Sequence, residues 1–71
     1  MFKNLEAEMT RQNISRADLS RSLGLQYSTI VRKLLGRTSF TLNEVEHIRD
    51  KFFPELTVGY LFLNEGPREI S

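Results

Sequence analysis

The apolar positions of this 71-residue chain fall into short clusters spaced for helices. One signal recurs four times. An apolar residue precedes a cap position, and a second apolar residue follows that cap by four positions. The pattern is the hydrophobic staple, which fixes how a chain enters a helix. Ile14, Ser15 and Leu19 form the first instance, and Leu25, Gln26 and Ile30 the second. Phe40, Thr41 and Val45 form the third, and Leu56, Thr57 and Leu61 the fourth. Acidic residues stand three positions after two of the caps, Asp18 after Ser15 and Glu44 after Thr41. Thr41 with Glu44 reads as a full capping box, and Asp18 suits the positive end of its helix.

These signals predict an all-α fold of five short helices. The first starts near Phe2 or Lys3 and ends near Gln12 or Asn13, with Phe2, Leu5 and Met9 on one face. The second runs from Arg16 to about Leu23 and buries Leu19 and Leu23; Gly24 then supplies a left-handed stop. The third runs from about Gln26 to Leu35, with Ile30 and Leu34 inward, and ends at Gly36. The fourth runs from about Leu42 to Phe52, with Val45, Ile48 and Phe52 at core spacing, and Pro54 bars its continuation. The fifth, from about Val58 to Leu63, buries Leu61 and one of Tyr60 or Phe62. Residues 64–71 contain Gly66 and Pro67 without periodicity and read as a flexible tail behind one compact domain over residues 1–63.

Composition narrows the function. A chain this short has no room for a second domain or a roomy catalytic cleft. Cysteine is absent, which removes disulfides and thiolate metal sites. The single histidine, His47, reads as a surface or partly packed residue. No Ser-His-Asp, paired-carboxylate or phosphate-loop arrangement is present, so neither an enzyme nor a cofactor is expected. No apolar run reaches the roughly 20 residues of a membrane span. Met1 to Thr10 is charged and amphipathic, without a signal-peptide apolar core, which makes the cytoplasm the expected location. The formal charge of +1 hides a division. Residues 1–37 carry seven basic and three acidic side chains, a net +4, while residues 38–71 carry three and six, a net −3. The division suggests one face that meets a polyanion and another turned away, or else the lopsided charge common in small soluble proteins.

The second and third predicted helices are joined by a very short connection at Gly24. Helices joined this tightly cross at a large angle, so the second can project into a DNA major groove. Leu19, Leu23, Leu25 and Ile30 lock the pair, and polar residues stand between them. On Leu19, Leu23, Gly24, Leu25 and Ile30 the stretch resembles the helix-turn-helix of the Cro/CI repressor family, the phage-repressor-like regulators. The likeness extends from about Asn4 to Phe62. The segment Arg32 to Thr41, with Gly36 and Arg37 after the third helix, is similar to small phage members of that family. Three positions depart from the family pattern: Arg16 where Gln is usual, Ser20 where Ala is preferred, and Gln26 where Ser or Thr caps the recognition helix.

The resemblance implies a compact lambda-repressor-like domain that binds operator DNA as a homodimer in a bacterial host. Its recognition helix, about residues 26–35, would present Gln26, Tyr27, Ser28, Thr29 and Arg32 to base edges. Gln26 suits adenine and Arg32 suits guanine. Ser28 suits a base or a phosphate. Tyr27 has three readings: a phosphate contact, a thymine-methyl contact, or a cover for the turn. The methyl of Thr29 has a packing role as its alternative. Arg16, Lys33, Arg37 and Thr38 are expected at phosphates. Arg21 reads as an ordinary solubilising residue. Val31 and Leu35 share a helix face apart from Ile30 and Leu34. They either pack against the fourth helix or form an apolar strip for a protein partner. The second case makes the chain an antirepressor, a modulator of another repressor protein, or an antitoxin-like regulator.

Overall fold

The computed structural model describes residues 2–63, and over them the chain forms five helices and no strand. The tail expected over residues 64–71 lies outside the described residues. In chain order the helices are α1 (Lys3–Arg11), α2 (Arg16–Leu23), α3 (Tyr27–Leu34), α4 (Leu42–Phe52) and α5 (Val58–Leu61). None of them is long and apolar enough to cross a membrane.

Three of the helices begin on side-chain caps. Ser15 accepts from the Asp18 N–H, and the Asp18 carboxylate accepts from the Ser15 N–H at 2.8 Å. Thr41 and Glu44 make the same reciprocal pair at the start of α4. Asp18 therefore closes a complete capping box, which the sequence reading credited only to Thr41 and Glu44. Thr57 caps α5 by accepting from the Tyr60 N–H.

The first three helices end alike. Each is followed by a left-handed residue, Asn13 at φ 61°, Gly24 at φ 71° and Gly36 at φ 83°. The next N–H then reaches back to the last turn. Ile14 donates to the Met9 carbonyl at 2.8 Å, Leu25 to Ser20 at 3.0 Å and Arg37 to Arg32 at 2.9 Å. These bonds satisfy carbonyls that the helix itself leaves open. Ile14 and Leu25 also pack on the core as the apolar lead-in to the following helix, so one side chain closes one helix and starts the next.

The core takes Leu5 and Met9 from α1, Leu19 from α2, Ile30 and Leu34 from α3, Ile48 from α4 and Leu61 from α5. Its remaining member is Phe53, which is 1% exposed. The sequence reading gave that place to Phe52, which is half-buried. The reason is local. Phe53 leaves the helical conformation at φ −137°, ψ 57°, as a residue before proline tends to do, and its ring enters the core there. Phe2, Phe40 and Phe62 form a triad of edge-to-face rings with centroids 5.3–5.7 Å apart. It ties the start of α1, the lead-in to α4 and the end of α5 together. Of the two residues offered beside Leu61, Phe62 is the packed one, and Tyr60 is exposed.

α2 packs chiefly on α3 and also meets α4, while α1 and α4 both pack against α5. The α2–α3 pair thus rests on a base formed by the other helices.

Candidate nucleic-acid interface

α3 is divided along its length. Ile30, Lys33 and Leu34 are buried, while Tyr27, Ser28, Arg32 and Leu35 are exposed. At 3.6 residues per turn, Ser28, Arg32 and Leu35 fall opposite Ile30 and Leu34. Thr29 and Val31 lie half-buried on the flanks. Helix position alone produces this division, because the apolar stripe at Ile30 and Leu34 must face α2 and the core.

The start of α3 differs from those of α2 and α4. Gln26 occupies the cap position in an extended conformation, φ −69°, ψ 151°, and makes no side-chain cap bond. The first turn of α3 carries no acidic residue. The leading N–H groups of α3 therefore lack the carboxylate and hydroxyl partners that serve α2 and α4. Gln26 is itself exposed and its amide is left for other contacts.

Arg16 opens α2 and Tyr27 opens α3, and the two line one cleft of about 350 Å³ together with Glu6, Thr10 and Ser15. Tyr27 is 52% exposed there. Past the other end of α3, Arg37 and Thr38 stand exposed on the loop that follows Gly36.

The basic residues divide into two sets. Arg11, Arg21, Lys33 and Arg49 each pair with an acid, namely Glu8, Asp18, Glu44 and Asp50. Among the described residues, Lys3, Arg16, Arg32, Arg37 and Lys51 carry no ion pair. The three arginines of this set open α2, lie on α3 and follow α3, and were assigned to DNA from the sequence. Hydrogen bonds from the Ser15 N–H and hydroxyl hold the Asp18 carboxyl below its ordinary range, and the Arg21 guanidinium adds to them.

Lys33 is a correction. It was expected at a phosphate, but it is only 8% exposed. Its ammonium donates to the Ser39 carbonyl at 2.8 Å, pairs with Glu44 Oε1 at 3.1 Å and lies 5.8 Å from the centre of the Phe40 ring. Partial burial works against the Glu44 charge, but the Thr41 N–H and the Lys33 ammonium outweigh it and hold that carboxyl below the usual glutamate range. Position gave the signal: Lys33 follows Ile30 by three residues and precedes Leu34, so it lies on the buried stripe.

Two more polar contacts escaped the sequence reading. Glu8, 7% exposed, accepts from the Tyr60 hydroxyl at 2.9 Å and pairs with Arg11. His47 shares a 2.6 Å hydrogen bond with the Ser22 hydroxyl, joining α4 to α2. No group of three or more acidic or histidine residues that could hold a metal occurs among the described residues. Compared with models of protein families, with curated proteins and with solved structures, the chain has no match.

Proposed function

We propose that the chain is a sequence-specific double-stranded DNA-binding transcriptional regulator, a phage- or prophage-type repressor with lambda-repressor-like helix packing. The observation that carries this reading is the division of α3, buried on Ile30 and Leu34 and polar at Gln26, Tyr27, Ser28 and Arg32. A helix packed on one side, and joined to its partner by the three residues 24–26, suits insertion into a major groove. The three unpaired arginines around it supply charge without first breaking an ion pair. In this reading Gln26 bonds an adenine edge and Arg32 a guanine edge. Ser28 takes a base or phosphate, with Tyr27 and Thr29 bordering. Arg16, Arg37 and Thr38 hold phosphates, which positions the helix without reading sequence. One such domain makes a small interface, so two copies act on half-sites about 34–36 Å apart. The protein works in the bacterial cytoplasm, without catalysis or cofactor.

The test is selection of bound duplexes from a random pool, followed by gel shift at about 50 and 200 mM salt. One enriched motif with two-fold symmetry, bound more weakly at the higher salt, is the expected result. Failure to retain any duplex at the lower salt defeats the reading.

One observation supports a second reading. Leu35 is 43% exposed on the outward face of α3, with Val31 beside it, and Leu42 is 68% exposed at the start of α4. Apolar side chains so placed suit a protein partner. The chain would then act as an antirepressor, modulator or antitoxin-like module. A complex with a repressor protein, and no duplex shift, distinguishes this case.

A further inference from the structure

The loop between α3 and α4 carries Arg37 and Thr38, and its ends are fixed. At the start, Gly36 donates to the Lys33 carbonyl and Arg37 to the Arg32 carbonyl. At the far end, Thr41 and Glu44 form their capping box, and the Phe40 ring sits in the aromatic triad. The stretch between is nearly bare. Among the described residues, residues 38–40 make one hydrogen bond, from the Lys33 ammonium to the Ser39 carbonyl. The same ammonium meets Glu44 Oε1, which also accepts from the Thr41 N–H at 3.0 Å. Lys33 therefore joins α3, the middle of the loop and the cap of α4 at one point.

From this geometry we infer that Lys33 is a positioning residue: it holds the 36–40 loop so that Arg37 and Thr38 meet DNA phosphate already in place. The inference rests on the DNA-binding reading of α3. Lysine suits the task by shape. Its ammonium directs three donors around a compact centre, toward a carbonyl, a carboxylate and a ring face. Arginine's planar fork matches one bidentate partner and not three dispersed ones. Lys33 touches no DNA itself, being buried, and acts through the loop. An arginine held in position loses less freedom when it meets its phosphate, and that saving appears as affinity. The contact is to the backbone of the duplex, so Lys33 affects strength of binding and not choice of sequence.

The test measures binding of the full chain to its selected operator duplex by fluorescence anisotropy, with the parent, Lys33→Met, Arg37→Ala and the double variant. Each single change is expected to weaken binding by about tenfold and to lower the salt dependence by about one unit of slope. The double variant is expected to bind within about twofold of Arg37→Ala alone, because the uncharged Thr38 is all that Lys33 then has left to position. The ratio of operator to scrambled-duplex affinity should stay at the parent value. If Lys33→Met does not fold by circular dichroism, Lys33→Arg replaces it, since it keeps the charge. It too should weaken binding in the parent background and not in the Arg37→Ala background. Parent-like binding by the folded Lys33 variant, or losses that multiply in the double variant, overturns the inference and leaves the DNA reading standing. A parent chain that binds no duplex defeats both.

Discussion

The Tyr60 hydroxyl donates to the Glu8 carboxylate at 2.9 Å, joining α5 to α1 across 52 positions of sequence. Asn4 adds a bond from its side-chain amide to the Tyr60 carbonyl at 2.9 Å. The short α5 is thus held by polar bonds at its rim as well as by Leu61 in the core. The Glu8 hydrogen bond, reinforced by desolvation and the Glu8 charge, raises the Tyr60 phenol above its ordinary range. A raised pKa means that the folded state favours the protonated phenol. Its contribution is present below the ordinary tyrosine pKa and is lost as pH rises through the folded value. Tyr60→Phe is expected to lower Tm at neutral pH and to remove that part of the alkaline loss. Thermal melts between about pH 7 and 11 check both. A Tm equal to the parent's would show that the bond adds nothing net.

Gly24 tests the turn. A Cβ built at this position meets no atom within 4 Å, so crowding is not the obstacle. The obstacle is the backbone itself at φ +71°. Gly24→Ala should cost roughly 1–2 kcal/mol, Gly24→Val at least as much, and Gly24→Asn less. Tm falls by roughly 4–8 °C per kcal/mol in a domain of this size. Equal melting of Gly24→Ala and the parent would contradict the argument.

Gln26 separates stability from recognition. It stands at a cap position and makes no cap bond. Gln26→Ser should stabilise the fold by about 0.5–1 kcal/mol, since serine caps well. The same change should weaken discrimination for the selected operator, because the amide is lost from the interface. A variant that melts higher and reads the same sites would remove Gln26 from readout.

Arg32 and Gln26 together test base recognition. In Gln26→Ala/Arg32→Ala the fold should stay intact, as both residues are exposed. Preference for the operator over scrambled duplex should fall by about 1–3 kcal/mol for each lost bidentate contact. Site selection repeated with the double variant is the measurement. Recovery of the parent's motif would overturn the assignment.

Acid should loosen the helix starts. Hydrogen bonds from Ser15 lower the Asp18 pKa, and despite partial burial those from Thr41 and Lys33 lower that of Glu44. A depressed pKa stabilises the fold above the ordinary carboxylate range, and that stability drains away as pH falls through the folded values. Melts from about pH 6 down to pH 2 should show a decline, and Glu44→Gln should make it shallower. An unchanged profile in that variant would exclude Glu44 as a source.

Most of the helical plan was legible because its signals are local. Ser15, Thr41 and Thr57 stand at their caps, and α2 and α4 have the bounds their sequence implies. α3 and α5 are each shorter than expected, α3 because Gln26 and Leu35 are flanking residues rather than helical ones. What local pattern does not carry is the partner of a long polar side chain. Lys33 reads as a surface cation until Ser39, Phe40 and Glu44 close over it. Glu8 reads as a solvated acid until Tyr60 arrives from the far end of the chain. In the candidate interface, exposure of Gln26, Ser28 and Arg32 follows from the buried stripe at Ile30 and Leu34. The pairing of Arg21 with Asp18 has a local signature, three positions apart on α2, whereas the state of Arg16, Arg32 and Arg37 depends on which acids the fold brings near.

Ile14 and Leu25 each belong to two helices at once. A connector with that double duty has no slack. One residue inserted beside either would rob the finished helix of its last carbonyl partner and the coming helix of its apolar anchor together. The first three helices are therefore bound to a fixed count of residues at both of their connectors.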